Sequence, residues 1–280
     1  MFRHVRGNRP STVSTGLDPE QPGILQCSQP IAHMNPSHTS PSPAGDSATS
    51  ARDATAWLHT ARFLTTAPEL KFLPPNSVPE IAFVGRSNAG KSTCINTLTQ
   101  QKRLAFASKT PGRTQSINLF ALGKQQLTDA VLADLPGYGY AAVPQAAKWR
   151  WQEVMANYLM CRPALRGVVM LCDARHGLTE LDEMLLEVIR PRVEDGLDFL
   201  VLLTKADKLN RAEANKVLQI TRLQTAGGDA MLFSALKKTG VDRVATTLWD
   251  WCHPTLTTGD TPPVADAPTS TDEHDPNPDD

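Results

Sequence analysis

The sequence predicts an α/β fold, in which a mostly parallel sheet is covered by helices on both faces. Three observations support this prediction. Short apolar runs alternate with segments of helical periodicity between residues 80 and 251. A glycine-rich loop separates the first of these runs from a helix, and further polar motifs directly follow later runs. Because the carboxyl ends of parallel strands share one edge of a sheet, we expect these motifs to lie together there.

The individual elements follow from hydrophobic periodicity and from glycine and proline. Strands are predicted for the apolar runs 80–84, 116–122, 130–133, 165–172, 198–203 and 230–233. Helices are predicted for 51–66, 91–100, 146–161, 179–191, 211–224 and 240–251. The connections 101–115 and 134–144 lack helical periodicity and are predicted loops, and Pro191 is expected to end its helix.

The composition places the folded part of the chain between two polar ends. Of the 280 residues, 1–50 and 253–280 are rich in proline, serine and threonine, with few large apolar side chains. We therefore predict a disordered N-terminal extension (1–50), one domain (51–252) and a disordered acidic C-terminal tail (253–280). The tail has seven carboxylates and no lysine or arginine, so the net charge of −1 leaves about +6 on the domain. A basic domain suits a nucleic-acid or ribonucleoprotein partner, but ordinary surface charge explains it equally well.

Cysteine usage and hydropathy predict a cytoplasmic protein. The five cysteines are scattered without a C-x-x-C pair, which is typical of reduced thiols in the cytosol. No apolar run approaches the roughly 18 residues that a membrane span requires. The basic N-terminal residues lack the apolar core of a secretory signal, and their early prolines disfavour the alternative of an organellar transit peptide. We expect a monomer, because no heptad pattern is visible.

The glycine-rich loop has the form that binds nucleotide phosphates. It reads G-R-S-N-A-G-K-S at 85–92, with a strand before it and a helix after it. Its glycines leave backbone N–H groups accessible to the β-phosphate, and the helix adds its positive dipole end. We expect Lys91 to reach the β- and γ-phosphates and the Ser92 hydroxyl to ligate Mg²⁺. The predicted nucleotide contacts are Gly85, Arg86, Ser87, Asn88, Ala89, Gly90, Lys91, Ser92 and Thr93.

Two further motifs suggest a magnesium site and a base-recognition site. In D-x-x-G, Asp134 can support Mg²⁺ through water and the Gly137 N–H can meet the γ-phosphate. In T-K-x-D, the Asp207 carboxylate can accept the adjacent N1–H and 2-amino hydrogens of guanine, a pair that adenine lacks. The Lys205 stem can lie along the base while its head braces the phosphate loop. By itself, D-x-x-G is more often an ordinary turn, and its place after the phosphate loop supports the functional interpretation.

A third motif, S-A-L at 234–236, can give backbone N–H groups to guanine O6. The residues that the three motifs assign to the nucleotide are Asp134, Leu135, Pro136, Gly137, Thr204, Lys205, Ala206, Asp207, Phe233, Ser234 and Ala235.

In this order the motifs are typical of P-loop GTPases, and two loops carry a finer similarity. K-T-P-G-R-T-Q-S-I-N at 109–118 and D-L-P-G-Y-G-Y-A at 134–141 resemble the EngB family, also called YihA or YsxC. The resemblance covers about residues 51–251. It implies the P-loop GTPase fold, with a mostly parallel six-stranded sheet and one antiparallel edge strand. It also implies a bacterial enzyme that hydrolyses GTP to GDP during assembly of the large (50S) ribosomal subunit or its precursor. Proteins of this family are also associated with normal cell division septation.

The resemblance makes Thr114 the switch threonine, which would join Ser92 on Mg²⁺ when GTP is bound. The loop 102–115 would then order with GTP and loosen with GDP. We assign catalytic roles to Lys91, Thr114 and Gly137. The nucleotide contacts that this loop adds are Gly112, Arg113, Thr114, Gln115 and Ser116.

Two residue identities concern the rate of hydrolysis. Many regulatory GTPases carry a glutamine after D-x-x-G that orients the attacking water, whereas this chain has Tyr138. We therefore predict slow intrinsic hydrolysis, with the missing group supplied by a partner, an ordered water or a cation. Asn88 suggests the cation, because similar loops in related GTPases carry an asparagine that helps hold K⁺. A plain loop-turn residue is the alternative for Asn88.

Two other functions remain open at this point. The chain could be a nucleotide-dependent interaction protein of the division apparatus, with incidental hydrolysis. It could also be an ATPase or kinase on the same fold, an alternative that Asp207 disfavours.

Overall fold

The computed structural model describes residues 50–105, 116–139, 145–225 and 228–254, with residues 145–151 described by their backbone alone. The strands are β1 (Arg62–Ala67), β2 (Glu80–Gly85), β3 (Ile117–Leu122), β4 (Ala130–Asp134), β5 (Leu165–Asp173), β6 (Asp198–Thr204) and β7 (Asp229–Leu232). The helices are α1 (Ala51–Leu58), α2 (Lys91–Leu98), α3 (Gln145–Cys161), α4 (Glu180–Glu194), α5 (Arg211–Gln224) and α6 (Val241–Cys252). Two short 3-10 turns lie at Leu70–Phe72 and Ala206–Lys208.

The strands form one seven-stranded sheet in the order β1-β3-β4-β2-β5-β6-β7. Strand β2 pairs in parallel with β4 and β5, and β6 pairs in parallel with β5 and β7. Strand β3 runs antiparallel to both β1 and β4. The predicted α/β fold with a mostly parallel sheet and an antiparallel edge is therefore confirmed. The sheet has one strand more than the six expected.

The additional strand is β1, in a segment that the sequence analysis assigned to the first helix. Helix α1 ends at Leu58, and the Thr60 hydroxyl donates to the Trp57 carbonyl just beyond it, at 2.6 Å. Residues 62–67 then pair with β3, with Phe63 opposite Phe120. β-Branched and aromatic side chains such as those of R-F-L-T-T-A favour a strand. The apolar spacing of 54, 57, 58 and 61 had suggested that the helix continues.

The core has two layers, one on each face of the sheet. Along β2, Ile81 and Phe83 are buried against α1, α2 and α6 on one face. Ala82 and Val84 alternate with them and are buried against α3 and α4 on the other face. A strand buried on both faces is expected at the centre of a parallel sheet. It holds the glycine-rich loop that follows it in a fixed position.

Helix α4 continues past Pro191 to Glu194, contrary to the sequence prediction. Proline removes one hydrogen bond from a helix and crowds the preceding turn, so the rest of the helix must compensate for this cost. The helix is fixed at its other end by a capping box between Thr179 and Asp182 and by buried apolar residues in its middle turns. Among the described residues, no helix combines the length and apolar character that crossing a bilayer requires.

Candidate functional site

The predicted motifs meet at the carboxyl ends of five neighbouring strands. The glycine-rich loop follows β2, D-x-x-G begins at the end of β4, and T-K-x-D begins at the end of β6. The S-A-L motif follows β7, and β5 ends between the β2 and β6 motifs. Ser116 lies on the same edge, because the antiparallel strand β3 starts there and pairs its Asn118 with Asp134. Gly112, Arg113, Thr114 and Gln115 lie outside the described residues.

Backbone geometry explains the two glycines of the phosphate loop. A Cβ on Gly85 would lie 2.7 Å from the Leu171 carbonyl oxygen of β5, which is closer than real contacts. Gly90 has φ of +96°, in the left-handed region that glycine adopts without a steric cost. Helix α2 begins at the next residue, Lys91. The backbone N–H groups of its first turn therefore face the phosphate loop.

A buried ion pair forms the floor of the site. The Lys91 ammonium donates to the Asp134 carboxylate, and the two side chains are only 9% and 2% exposed. Strands β2 and β4 are neighbours, which brings these side chains together across 43 residues of sequence. The pair places a cation beside a carboxylate, and Mg²⁺ prefers one or two protein carboxylates, water and phosphate oxygens as ligands. Ser92 is the adjacent residue in the first turn of α2. This donor set fits Mg²⁺.

The D-x-x-G segment is joined to the phosphate loop by backbone hydrogen bonds. The Tyr138 N–H donates to the Gly85 carbonyl at 3.3 Å, and the Ser87 N–H donates to the Tyr138 carbonyl at 2.9 Å. Between these bonds Gly137 packs so closely that a Cβ there would lie 3.3 Å from the Ser87 Cα. The Gly137 backbone therefore lies against the phosphate loop.

The side chain of Tyr138 reaches helix α4. Its hydroxyl donates to Asp182 at 2.6 Å, and this carboxylate also accepts from the backbone and side chain of Thr179. Burial raises the pKa of Tyr138, and the negative charge of Asp182 raises it further. The phenol therefore stays protonated, and it donates its hydrogen bond to Asp182 of α4. The capping box was visible in the sequence, but its contact with Tyr138 was not.

The end of the site that is predicted to recognise the base is built from two loops. The Ser234 hydroxyl donates to Asp207 Oδ1 at 2.6 Å, and the Ala206 N–H donates to the Phe233 carbonyl at 3.1 Å. The hydrogen bond from Ser234 lowers the pKa of Asp207, so the carboxylate stays ionised and able to accept hydrogen bonds. The Ser234 N–H donates to the Thr239 carbonyl at 3.1 Å. The structure therefore gives the Ser234 hydroxyl a role that the sequence analysis missed, namely orienting Asp207.

Thr204 and Lys205 connect the base-recognition loop to the phosphate loop. The buried Thr204 hydroxyl donates to the Ala89 carbonyl at 2.6 Å. The Lys205 ammonium donates to the Asn88 carbonyl at 2.8 Å, which is the contact expected of its head. Lys205 has φ of +56°, a conformation uncommon for a residue with a side chain. These bonds fix the distance between the two halves of the site.

Asp173, at the end of β5, holds Lys205 from the other side and was missed by the sequence analysis. Its carboxylate accepts from Lys205 at 2.9 Å and from the Arg175 guanidinium at 2.6 and 2.9 Å. Burial raises the pKa of Asp173, but the hydrogen bonds from Arg175 and Lys205 outweigh burial and hold it well below its usual range. Asp173 could have been found from the sequence, because it is a carboxylate that directly follows a buried apolar run.

We expect Asp173→Asn to weaken the affinity for guanine nucleotides about fivefold to tenfold. The amide keeps the shape of the side chain but removes the charge that orients the Lys205 head. Because the pKa of the carboxyl is lowered, its charge persists from pH 8 down through mildly acidic pH and is lost only at strongly acidic pH. Titration with a fluorescent GDP analogue between pH 5.5 and 8 measures the loss of affinity and shows whether the wild-type affinity stays constant over this pH range. An unchanged affinity at pH 7 would contradict this role, and Glu187→Gln, which breaks an exposed pair with Arg190, is the matched control.

Comparisons with known proteins agree with this geometry. The family described as "50S ribosome-binding GTPase" matches residues 80–205. The "Probable GTP-binding protein EngB" of Polaromonas sp. (strain JS666) is 72% identical over 214 residues, which are 76% of this chain and 87% of that protein. The protein of the same name from Albidiferax ferrireducens is 71% identical over 201 residues, 72% of this chain and 97% of that protein.

A solved structure shares the fold at low identity. Era, in complex with MgGDPNP and nucleotides 1506–1542 of 16S ribosomal RNA, aligns with a TM-score of 0.53 and 22% identity. The alignment covers 63% of this chain and 57% of that one. The likeness supports the P-loop GTPase fold.

Proposed function

Because this chain belongs to the EngB family of GTP-binding proteins, we propose that it hydrolyses GTP to GDP as a switch in assembly of the 50S ribosomal subunit. We place it in the cytoplasm as a monomer, with the 50S subunit or its precursor (ribosomal RNA and proteins) as partner, and with a role in septation. The GTPase proposal rests on one observation, namely that two ends of one site are held together by hydrogen bonds. A buried lysine–carboxylate pair lies at one end and an oriented, ionised Asp207 at the other. The description of the matched family as ribosome-binding supports the choice of partner.

In this proposal each residue of the site has one role. Lys91 neutralises charge on the β- and γ-phosphates, and the Gly137 N–H contacts the γ-phosphate. Ser92 and Thr114 ligate Mg²⁺, and Asp134 supports it through water; the metal supplies charge neutralisation at the phosphates when bound. Asp207 selects guanine, with Ser234 orienting its carboxylate and Lys205 joining it to the phosphate loop.

Slow intrinsic hydrolysis follows from the position of Tyr138. In Ras-like enzymes the residue at this point orients the attacking water through a side-chain amide. Here the phenol O–H is engaged in a hydrogen bond to Asp182 on α4, which leaves it no donor for a water. A partner or a K⁺ ion held with the help of Asn88 would supply the missing group.

GTP turnover with and without purified 50S subunits tests this function. We expect slow turnover by the protein alone and a rise of at least about tenfold with 50S subunits, the size of one moderate stabilising contact in the transition state. The reactions are run in Na⁺ and in K⁺, and a higher rate in K⁺ alone supports the cation role of Asn88. If 50S subunits neither bind nor change the rate in either salt, the ribosomal part of the proposal is wrong. Division proteins would then be the partners to test.

A further inference from the structure

A basic groove lies at the β1 edge of the sheet, and it contains none of the nucleotide contacts assigned above. Its volume is about 760 Å³, and it is lined by residues 61–63 on one side and 101–104 on the other. We call it the β1 groove. One wall is the start of the edge strand β1, and the other is the segment that follows α2.

Hydrogen bonds hold both walls in place. The Asn96 side chain donates to the Ala105 carbonyl and accepts from the Ala105 N–H, both at 2.8 Å. The Gln101 side-chain amide donates to the Ala61 carbonyl on the opposite wall. The β1 groove is therefore shaped by specific bonds within the described residues.

The groove carries positive charge, and no carboxylate among the described residues forms an ion pair with it. Lys102 and Arg103 are exposed, and the ion pairs formed among the described residues include neither of them. Arg62 is held by four hydrogen bonds, all to uncharged oxygen atoms of residues 123–128, so it keeps its full charge. A groove with three such cations attracts a polyanion.

An aromatic ring stands beside these cations. Phe63 is 58% exposed, in a strand of which only Ala67 is buried. Its ring packs edge-on against the buried Phe120, with centroids 6.3 Å apart and planes at 64°. The strand is irregular between Phe63 and Thr65, and a bulge of this kind redirects side chains. The ring is therefore a supported, outward-facing stacking surface.

We propose that the β1 groove binds single-stranded RNA, with its phosphates on Lys102 and Arg103, beside the charge of Arg62, and one base stacked on Phe63. Cations that follow a groove and an exposed aromatic ring together form the usual surface for single strands. An acidic peptide would use the cations but not the ring face. The inference deepens the proposed function and rests on it, because RNA is the main polyanion of a ribosomal particle.

The test measures binding of a fluorescent 12-nucleotide oligouridine to the full chain by anisotropy, over a range of KCl concentrations. The double variant Lys102→Ala/Arg103→Ala should bind at least about tenfold more weakly. The slope of log K against log[salt] should also fall by about 1.4 in magnitude, because each lost phosphate contact on a single strand accounts for about 0.7. Phe63→Ala should weaken binding about tenfold without changing the slope, and Phe63→Tyr should retain binding.

The controls are chosen at exposed positions outside the groove. Phe72→Ala removes another exposed phenylalanine, and Lys216→Ala removes a cation on α5 at the opposite end of the sheet. Neither should change RNA affinity. All variants should bind a fluorescent GDP analogue like the wild-type chain, which shows that they fold.

The outcomes separate this inference from the proposed function. RNA binding that is unaffected by the three groove substitutions overturns the inference. So does binding that appears only after removal of residues 255–280, because the acidic tail would then be the groove's occupant. Sedimentation with 50S subunits is measured in parallel. Chains that lose neither RNA binding nor sedimentation when the groove is substituted leave the proposed function standing and refute the groove. RNA binding through the groove without 50S binding supports the groove and counts against the proposed function.

Discussion

Replacing Asp207 by asparagine is expected to lower the affinity for GTP by about 10³-fold and to make xanthosine triphosphate the preferred nucleotide. The carboxylate can accept hydrogen bonds from both N1–H and the 2-amino group of guanine. A site with such paired groups has a much lower affinity for an analogue that leaves one of them unpaired. An asparagine amide keeps one acceptor and offers one donor. Xanthine suits it, because xanthine has a carbonyl oxygen where guanine has the 2-amino group. Competition of each triphosphate against a fluorescent GDP analogue measures the change.

The matched control for this prediction is Ser234→Ala. It removes the hydroxyl that donates to Asp207 Oδ1 but leaves the carboxylate itself in place. We expect it to lower GTP affinity by about tenfold, the value of one hydrogen bond to a charged group, without any preference for xanthosine triphosphate. If Asp207→Asn still prefers GTP, the assignment of Asp207 to the base is wrong. Such a result would also reopen the ATPase alternative.

Lys91→Ala is expected to lower single-turnover GTP hydrolysis by about 10³-fold while also destabilising the folded chain. The first effect is the loss of a fixed cation where negative charge develops on the phosphates. The second arises because the Asp134 carboxylate, 2% exposed, would lose the ammonium that it contacts. Leaving one member of a buried pair uncompensated costs roughly 3 kcal/mol. Rapid-quench turnover at saturating GTP and urea unfolding of the nucleotide-free protein measure the two effects separately.

A double variant separates chemistry from stability in this experiment. Lys91→Ala/Asp134→Ala removes both charges, so no buried carboxylate is left unpaired. We expect it to recover most of the lost free energy of unfolding but none of the lost turnover, because it lacks both Lys91 and the carboxylate proposed to support Mg²⁺. Recovery of turnover in the double variant would mean that Lys91→Ala acts by unfolding the site. It would remove Lys91 from the catalytic residues.

The local features of the site were predictable from the sequence because their causes are local. The G-x-x-x-x-G-K-S loop needs two glycines at fixed spacing, one against β5 and one with positive φ, and a helix immediately afterwards. Buried strands such as β2 and β5 are continuous apolar runs, which periodicity detects. The strand β1 was missed because the sequence analysis relied on the same apolar periodicity. Periodicity in a short segment does not distinguish a helix that continues from a strand that follows it, and the pairing with β3 decides.

The side-chain pairs that orient the motifs were not predictable, because they join residues far apart in the chain. Asp173 meets Lys205 because β5 and β6 are neighbours, with Asp173 opposite Thr204 in their register. Tyr138 meets Asp182 across 44 residues because the loop after β4 pairs with the phosphate loop and reaches the first turn of α4. The sequence by itself determined the fold class, the order of the motifs and the chemistry that each can perform, since glycine positions, charges and apolar runs are local properties. Only the tertiary structure decided which carboxylate orients which donor, because the order and register of the strands set those distances.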